Sequence, residues 1–475
     1  MLFRSEQHHA LLGVEPEQRV MLLLQDTVDF PTVFLGAIKA GMVPVPVNTL
    51  LAASDYEHFL CDSRARALVV SAPLLAKVEE AIGRAPMLRS VLVSGAPAGS
   101  AKYESLDERL ASAPRQLDAF STTPDDVAFW LYSSGSTGPP KGAIHLHAHL
   151  MQTAKLYAQG VLGIDENDVV FSAAKLFFAY GLGNALTFPL SVGATSVLMA
   201  ERPTPASVRR ILHEHQPTIF CGVPTLFAAM LADTANGGIT REEASAALRV
   251  SISAGEALPK HVGERWKQRM GTDILDGIGT TELLHIFLSN RPGDIRYGTS
   301  GKPIPGYELE LVGDDGESVS PGEEGSLWVR GPSAAVAYWN QRELSGGTFH
   351  GPWTRTGDRY VCDREGYFTY LGRGDDMLKV GGIWVSPFEV ESALAQHEAV
   401  LEAAVVGHAD ADQLVKPKAF VVLRQERVPS DALKDELKEF IKSKLAPYKY
   451  PRWIEFLPEL PKTATGKIQR FRLRG

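Results

Sequence analysis

Cysteine is scarce: three residues in 475, Cys61, Cys221 and Cys362, far apart and without a CxxC pair. That pattern suggests neither a disulfide framework nor a zinc site, and it fits a reducing, cytosolic setting. No apolar run approaches the roughly 18 residues of a membrane-spanning helix. The opening MLFRSEQHHALLG has neither the long apolar stretch nor the small-residue cleavage site of a secretory signal, so neither membrane attachment nor export is expected. An excess of basic charge is also missing. Lys and Arg number 48 against 56 Asp and Glu, a formal net charge of -8. Sequence-independent binding to nucleic acid, which needs a basic surface to displace counterions, is therefore disfavoured. A local basic pocket for an anionic small molecule is still allowed. Internal repeats and low-complexity tracts are lacking as well.

What is present reads as a globular protein of more than one domain. Apolar residues make up 44% and charged residues 22%, and the length exceeds one ordinary core at roughly 100 to 200 residues per domain. Short apolar runs such as RVMLLLQ, ALVVS, DVVFSAA, TIFCG and LRVSISAG alternate with helix-length segments such as PTVFLGAIKAG, PASVRRILHEH and KHVGERWKQRM. Such alternation predicts an α/β fold of parallel sheets covered by helices, through about residue 295. From there GYELELV, GSLWVRG and GYFTYLG predict a β-rich, mostly antiparallel subdomain over about 296–374. Together these form an N-terminal domain, 1–374. Residues 375–475 read helix, strand, strand, helix, a small α+β domain.

The densest cluster of unusual residues is LYSSGSTGPPKG. Its glycines Gly135, Gly138 and Gly142 let the backbone approach a ligand, and Ser133, Ser134, Ser136 and Thr137 add hydroxyls, with Lys141 beside them. Phosphate oxygens suit such a loop, although an ordinary surface turn has the same composition. A Walker loop is excluded, since it would need Gly at Pro140 and Ser or Thr at Gly142.

Taken in order, SSGSTGPPKG, GIGTTE, TGD, GRGDD and PKTATGK resemble the motifs of the acyl-adenylate-forming ligases, over essentially the whole chain. The resemblance implies that ATP and a carboxylate form an acyl-adenylate and pyrophosphate, and that a thiol, here coenzyme A, then displaces AMP. It further implies a mobile C-terminal domain turning at a hinge matched by Asp375. Lys467 matches the adenylation lysine, whose ammonium would offset the repulsion between two anions. Glu282 would hold Mg²⁺ and Thr281 would contact the α-phosphate. The resemblance places nucleotide contacts on Ser133, Ser134, Gly135, Ser136, Thr137, Gly138 and Lys141, then on Gly255, Glu256 and Ala257 along the adenine. The strand and turn Asp276, Gly277, Ile278, Gly279 and Thr280 follow, with Asp358 on the ribose hydroxyls and Arg373 as a donor nearby. Ile278 stands where many relatives stack a tyrosine on adenine, so apolar packing must serve instead. Gly381 and Gly382 would let the pantetheine arm pass, and Lys379 matches a lysine that acts in the second step in some relatives; a solvent-facing lysine reads equally well. Members generally carry more residues before RVMLLLQ than this chain does.

For the acid, KLFFAYGLGNALTFPL and LLHIFLSN line the position of the acyl pocket, with Ala179, Tyr180, Gly181, His285 and Ile286 as candidates. Aromatic walls with small residues between them suit a flat ring, and the pair of segments resembles the ligases of the benzoate–coenzyme A type. An aromatic run after a strand is also common in plain core. Lys175 is the only cation in the run, which favours a small aromatic monocarboxylate. A hydroxybenzoate or other aryl acid as substrate, transfer to a carrier protein instead of coenzyme A, and a non-catalytic nucleotide binder stay open. The sequence leaves the oligomeric state undetermined and is compatible with a homodimer.

Overall fold

The computed structural model describes residues 14–51, 53–96, 102–114, 116, 118–133, 140–232, 239–242, 244–374, 376–380, 383–410, 415–425, 427–445, 449–462 and 468–474. Strands β1 (Arg19–Leu23), β2 (Val43–Pro46), β3 (Ala67–Ser71), β4 (Ser90–Ser94) and β5 (Glu104–Ser105) form a parallel sheet in the order β2-β1-β3-β4-β5. Helices Asp29–Lys39, Ala53–Ser63 and Leu75–Arg84 make its crossovers. Both faces are covered, and β1 and β3 are accordingly almost wholly buried runs without polar alternation.

A hairpin of β6 (Val127–Ser133) and β7 (Lys141–Leu146) follows. The second sheet holds β8 (Val169–Ser172), β9 (Thr195–Val197), β10 (Ile219–Gly222), β11 (Val250–Ser253), β12 (Ile274–Gly279), β13 (Ile286–Ser289) and β14 (Lys302–Pro303). Its order is β14-β13-β12-β11-β10-β8-β9. The helix Pro205–His215 starts where the Thr204 hydroxyl accepts the Ser207 amide at 3.1 Å. Lys260–Met270 stops at Gly271, whose φ of 65° few other residues tolerate.

Pairing turns antiparallel at β13, earlier than the residue 296 at which the sequence pattern changes, and β14 also stays on the second sheet. The link from Gly279 to Ile286 is too short for the crossover that a parallel neighbour requires. Beyond it, β15 (Glu308–Val312), β16 (Glu324–Arg330), β17 (Phe349–His350), β18 (Trp353–Cys362) and β19 (Phe368–Arg373) form the antiparallel third sheet. The last part has a short hairpin, β20 (Leu378–Val380) and β21 (Ile383–Val385), and a sheet of β22 (Val400–Ala409), β23 (Val415–Leu423) and β24 (Trp453–Phe456). Helices Pro387–Leu394 and Asp431–Lys444 pack on it. Among the described residues no helix is long and apolar enough to cross a membrane.

Candidate active site

Three chain segments converge on the turn at the carboxyl end of β12, the side on which open α/β sheets present their loops. In the first, β6 and β7 set Ser133 opposite Lys141 in register. The second is the turn after β12, where the Thr280 hydroxyl accepts the Leu283 amide at 3.2 Å. Leu284 then adopts φ 64° and ψ -41°, and the His285 amide donates to the Leu283 carbonyl at 2.8 Å. This is a γ-turn of the rarer, strained sense, a conformation that costs of order 1–3 kcal/mol and clusters at functional sites. It reverses the chain within one residue and leaves Glu282 half-buried at the turn. The third is the segment before Trp339, where the Ala335 amide donates to the Glu282 carbonyl at 2.7 Å.

Glu282 joins them. Its Oε1 accepts from the Ser133 hydroxyl at 3.1 Å and from the Tyr338 hydroxyl at 2.7 Å, and Lys141 Nζ lies 5.3 Å from the centre of the Tyr338 ring. Burial and the neighbouring carboxylate push the Tyr338 phenol well up, so it stays a donor. Tyr338 was not among the sequence candidates, because it falls in no motif and only the tertiary fold carries it to Glu282.

Asp358 and Arg373 are register partners on β18 and β19, with Arg373 Nη1 3.2 Å from Asp358 Oδ1. Asp358 is 4% exposed, and its amide donates to the Thr356 hydroxyl at 3.1 Å. Gly357 between them has φ 78°, and a side chain there would meet Arg373 Nη2 at 2.9 Å. The sequence placed these two residues as neighbours of one nucleoside, and the structure pairs them. Gly255, at φ 92°, with Glu256 and Ala257 extends from the end of β11 at the surface or half-buried. Ile278 and Gly279 are half-buried; a Cβ on Gly279 would strike the His285 carbonyl at 2.4 Å, and one on Gly277 the Leu288 carbonyl at 2.9 Å. The Asp276 side chain is buried, 5% exposed, and burial holds its carboxyl well above the usual carboxylate range.

The candidate pocket is built differently from its sequence reading. Gly181 and Gly183 do not leave gaps: a Cβ on Gly181 would lie 2.0 Å from the Lys175 carbonyl, and one on Gly183 would lie 2.4 Å from His285 Cδ2. Phe177 joins the core beneath the first sheet. The aromatic wall centres on His285, 3% exposed, whose ring centroid lies 4.5 Å from Phe188, 5.5 Å from Tyr157 and 5.7 Å from Tyr180. Tyr157 and Phe188 were not singled out from sequence, since both look like ordinary helix core. Ala179 is half-buried, and the Tyr180 hydroxyl donates to the carbonyls of Gly222 at 3.1 Å and Ile252 at 3.0 Å, tying the wall to the strand ends. Ile286 is buried beside them in β13. His285 Nε2 lies 3.3 Å from the Tyr180 carbonyl and so carries the proton; burial lowers the imidazole to about 3, keeping it neutral. Lys175, the one cation of the run, is taken up internally by the carbonyls of Met199 and Glu201, with Asp26 at 4.0 Å. Gly183→Ala should push the His285 ring aside at an overpacking cost of ~1–3 kcal/mol. The expected result is a KM for the acid raised by about tenfold with ATP affinity unchanged, read from initial rates.

Ser134, Gly135, Ser136, Thr137, Gly138, Asp375, Gly381, Gly382 and Lys467 lie outside the described residues, as does the side chain of Lys379, whose backbone belongs to β20.

The model of the AMP-binding enzyme family matches residues 9–339, and that of the AMP-binding enzyme C-terminal domain matches residues 389–467. The chain belongs to the AMP-binding enzymes. Within that family it is 60% identical over 464 residues to the benzoate–CoA ligase of Thauera aromatica, covering 98% of this chain and 86% of the relative. It is 51% identical over 469 residues to a 4-hydroxybenzoate–CoA/benzoate–CoA ligase of Rhodopseudomonas palustris (strain ATCC BAA-98 / CGA009), covering 98% and 85%. The crystal structure of a benzoate CoA ligase from Burkholderia xenovorans LB400 matches with a TM-score of 0.91 at 54% identity, over 98% of this chain and 91% of that one. As an AMP-forming acyl-CoA ligase of this family, the chain uses ATP and coenzyme A.

Proposed function

We propose that the chain is a benzoate–coenzyme A ligase. A benzoate oxygen attacks the α-phosphorus of ATP, the bond to the β-phosphate oxygen breaks, and pyrophosphate leaves; the coenzyme A sulfur then attacks the benzoyl carbonyl, AMP leaves, and the thiol proton goes to water. The observation that carries this reading is the junction at Glu282, where the Ser133–Lys141 hairpin, the strained turn and Tyr338 meet beside the ring wall around His285. Identities of 60% and 51% to aryl-acid ligases support it.

In the first step Lys467 sits between the two reacting anions, and Thr281 with the Ser133–Gly138 loop and Lys141 binds phosphate oxygens. Asp358, held by Arg373, accepts both ribose hydroxyls, while Gly255, Glu256, Ala257 and the apolar face of Ile278 flank the base. Glu282 suits Mg²⁺. Both hydroxyl donors reach Oε1, and no described donor reaches Oε2, a hard, half-buried oxygen. Among the described residues no three His, Cys, Asp or Glu side chains cluster for a metal. Glu282 would then be the side chain that holds Mg²⁺, an ion that takes one or two carboxylates together with substrate phosphates. When bound, Mg²⁺ supplies positive charge against the phosphates. For the second step, rotation at Asp375 brings Lys379 and the Gly381–Gly382 segment to the carbonyl. Both co-substrates are intracellular pools, so the reaction belongs in the cytoplasm.

One observation favours a second acid. His285 Nδ1 is buried and has no hydrogen-bond partner among the described residues, and a bare acceptor in an aromatic wall fits a ring hydroxyl. Pyrophosphate release across benzoate, 4-hydroxybenzoate and straight-chain fatty acids tests both readings. Benzoate is expected to turn over fastest, with thioester forming on free coenzyme A. Highest kcat/KM on a medium-chain fatty acid would overturn the pocket assignment, and adenylate accumulating without thioester would favour a carrier-protein acceptor.

A further inference from the structure

Two buried histidines lie beneath the Glu282 turn, on the end of β7 and the helix His147–Thr153. His145 Nε2 is 2.8 Å from the Thr281 carbonyl, and His145 Nδ1 is 3.1 Å from His149 Nδ1. The His145 ring stacks on Phe129 at 5.2 Å and 17°, which fixes its plane. We propose that His145, with its tautomer set by His149, is a positioning residue that orients the Thr281–Glu282 peptide for the nucleotide.

Proton accounting supports this. A carbonyl only accepts, so the Thr281 contact requires hydrogen on His145 Nε2. In the neutral ring Nδ1 is then bare and must accept, which places a hydrogen on the facing His149 Nδ1. The Leu146 amide also donates toward that nitrogen at 3.3 Å, so it competes with the shorter 3.1 Å ring-to-ring contact for the same position. Without His149, the His145 proton could shift to Nδ1 and leave a lone pair facing the Thr281 carbonyl. The consequence is a crosslink at two levels. Ser133, at the start of the hydroxyl-rich loop, bonds the Glu282 side chain, while His145, four residues beyond Lys141, bonds the backbone one residue earlier. Loop and turn thereby move together. The strained γ-turn at Leu284 gives this pin a task, because a non-glycine residue holds a positive φ only where its surroundings over-determine it. Ala335 holds the Glu282 carbonyl, and His145 holds the one before it.

The inference rests on the proposed roles of Thr281 and Glu282, so wild type must first release pyrophosphate with benzoate; failure there sinks that reading and not this one. His145→Leu keeps an apolar group against Phe129 and removes the donor. Pyrophosphate release is expected to fall about 10- to 100-fold, with a smaller fall in thioester formation from supplied benzoyl-AMP, which keeps the α-phosphate that Thr281 contacts but lacks the pyrophosphate and its Mg²⁺. The rise in Tm that Mg·ATP produces in wild type should largely disappear, a readout independent of turnover. His145→Gln restores an N–H near the Nε2 position and should recover most of both. His149→Leu should show the same selectivity at about three- to tenfold, and it carries the test if His145→Leu does not fold. Equal losses in both half-reactions that follow Tm in the ligand-free protein, or unchanged pyrophosphate release in a folded His145→Leu or His149→Leu, would reduce the pair to core packing and overturn the proposal.

Discussion

Lys467→Ala is expected to lower benzoyl-AMP formation by about 10²- to 10³-fold, the scale for losing one preorganised charge-stabilising group, while thioester formation from supplied benzoyl-AMP is retained. The reason is that the first step alone brings carboxylate and phosphate together, whereas in the second a thiol meets a neutral carbonyl. The anchorage on either side of the lysine is part of the expectation. Lys462 and Ile468 form an antiparallel bridge, the Gln469 amide donates to the Pro461 carbonyl at 2.8 Å, and Arg470 Nη2 bonds Glu391 at 2.7 and 3.0 Å. Arg470 also lies 3.6 Å from Asp376, next to the proposed hinge. The described residues on both flanks are thus held by these contacts, so removing the ammonium should leave the fold intact. Pyrophosphate release and thioester formation, assayed separately, check it. Comparable loss in both would mean that a single lysine serves both steps.

Lys175→Met should produce the largest change in stability. Lys175 and Asp26 are 8% and 5% exposed, and Asp26 accepts the Leu176 amide at 3.2 and 3.3 Å at the root of the pocket wall. Burial raises the Asp26 carboxyl to about 7 despite the lysine, whose own pKa burial lowers. Removing one partner of such a pair costs ~3–5 kcal/mol, because the other is left uncompensated. The sign with pH follows from linkage. A carboxyl whose folded pKa is raised contributes stability below its unfolded value and loses it as pH rises toward the folded value. Without the ammonium the folded value rises further, so wild type ionises Asp26 near pH 7 where the variant cannot do so cheaply. The deficit should therefore be smallest at acid pH and grow as pH climbs through 7, measured as the difference in urea unfolding free energies at pH 5.5 and 8.5. A deficit independent of pH would mean that Asp26 and Lys175 are not coupled.

Legibility differed by residue. Asp358 and Arg373 were readable as candidates because each sits in a short motif of the family, and the register of β18 and β19 then paired them. Glu282 and Ser133 were readable for the same reason, but their contact was not, since 149 residues separate them. The glycines of FFAYGLGN misled. From sequence a small residue among aromatics looks like space for a ligand, yet neighbouring groups occupy that space, and only coordinates tell a hole from a close contact. Tyr338, Tyr157 and Phe188 carry no local signal, since a buried aromatic in core and one beside a substrate have the same sequence surroundings.

By itself the sequence determined the class of chemistry and the order of elements: apolar runs and turn residues act locally, and motif spacing survives without coordinates. Tertiary structure alone decided which groups meet. It set the γ-turn at Leu284, the histidine pair under Thr281, the internal use of Lys175 and the antiparallel return at β13. Each depends on contacts between segments far apart in the chain, whose free energy appears only when the sheets pack and exclude water.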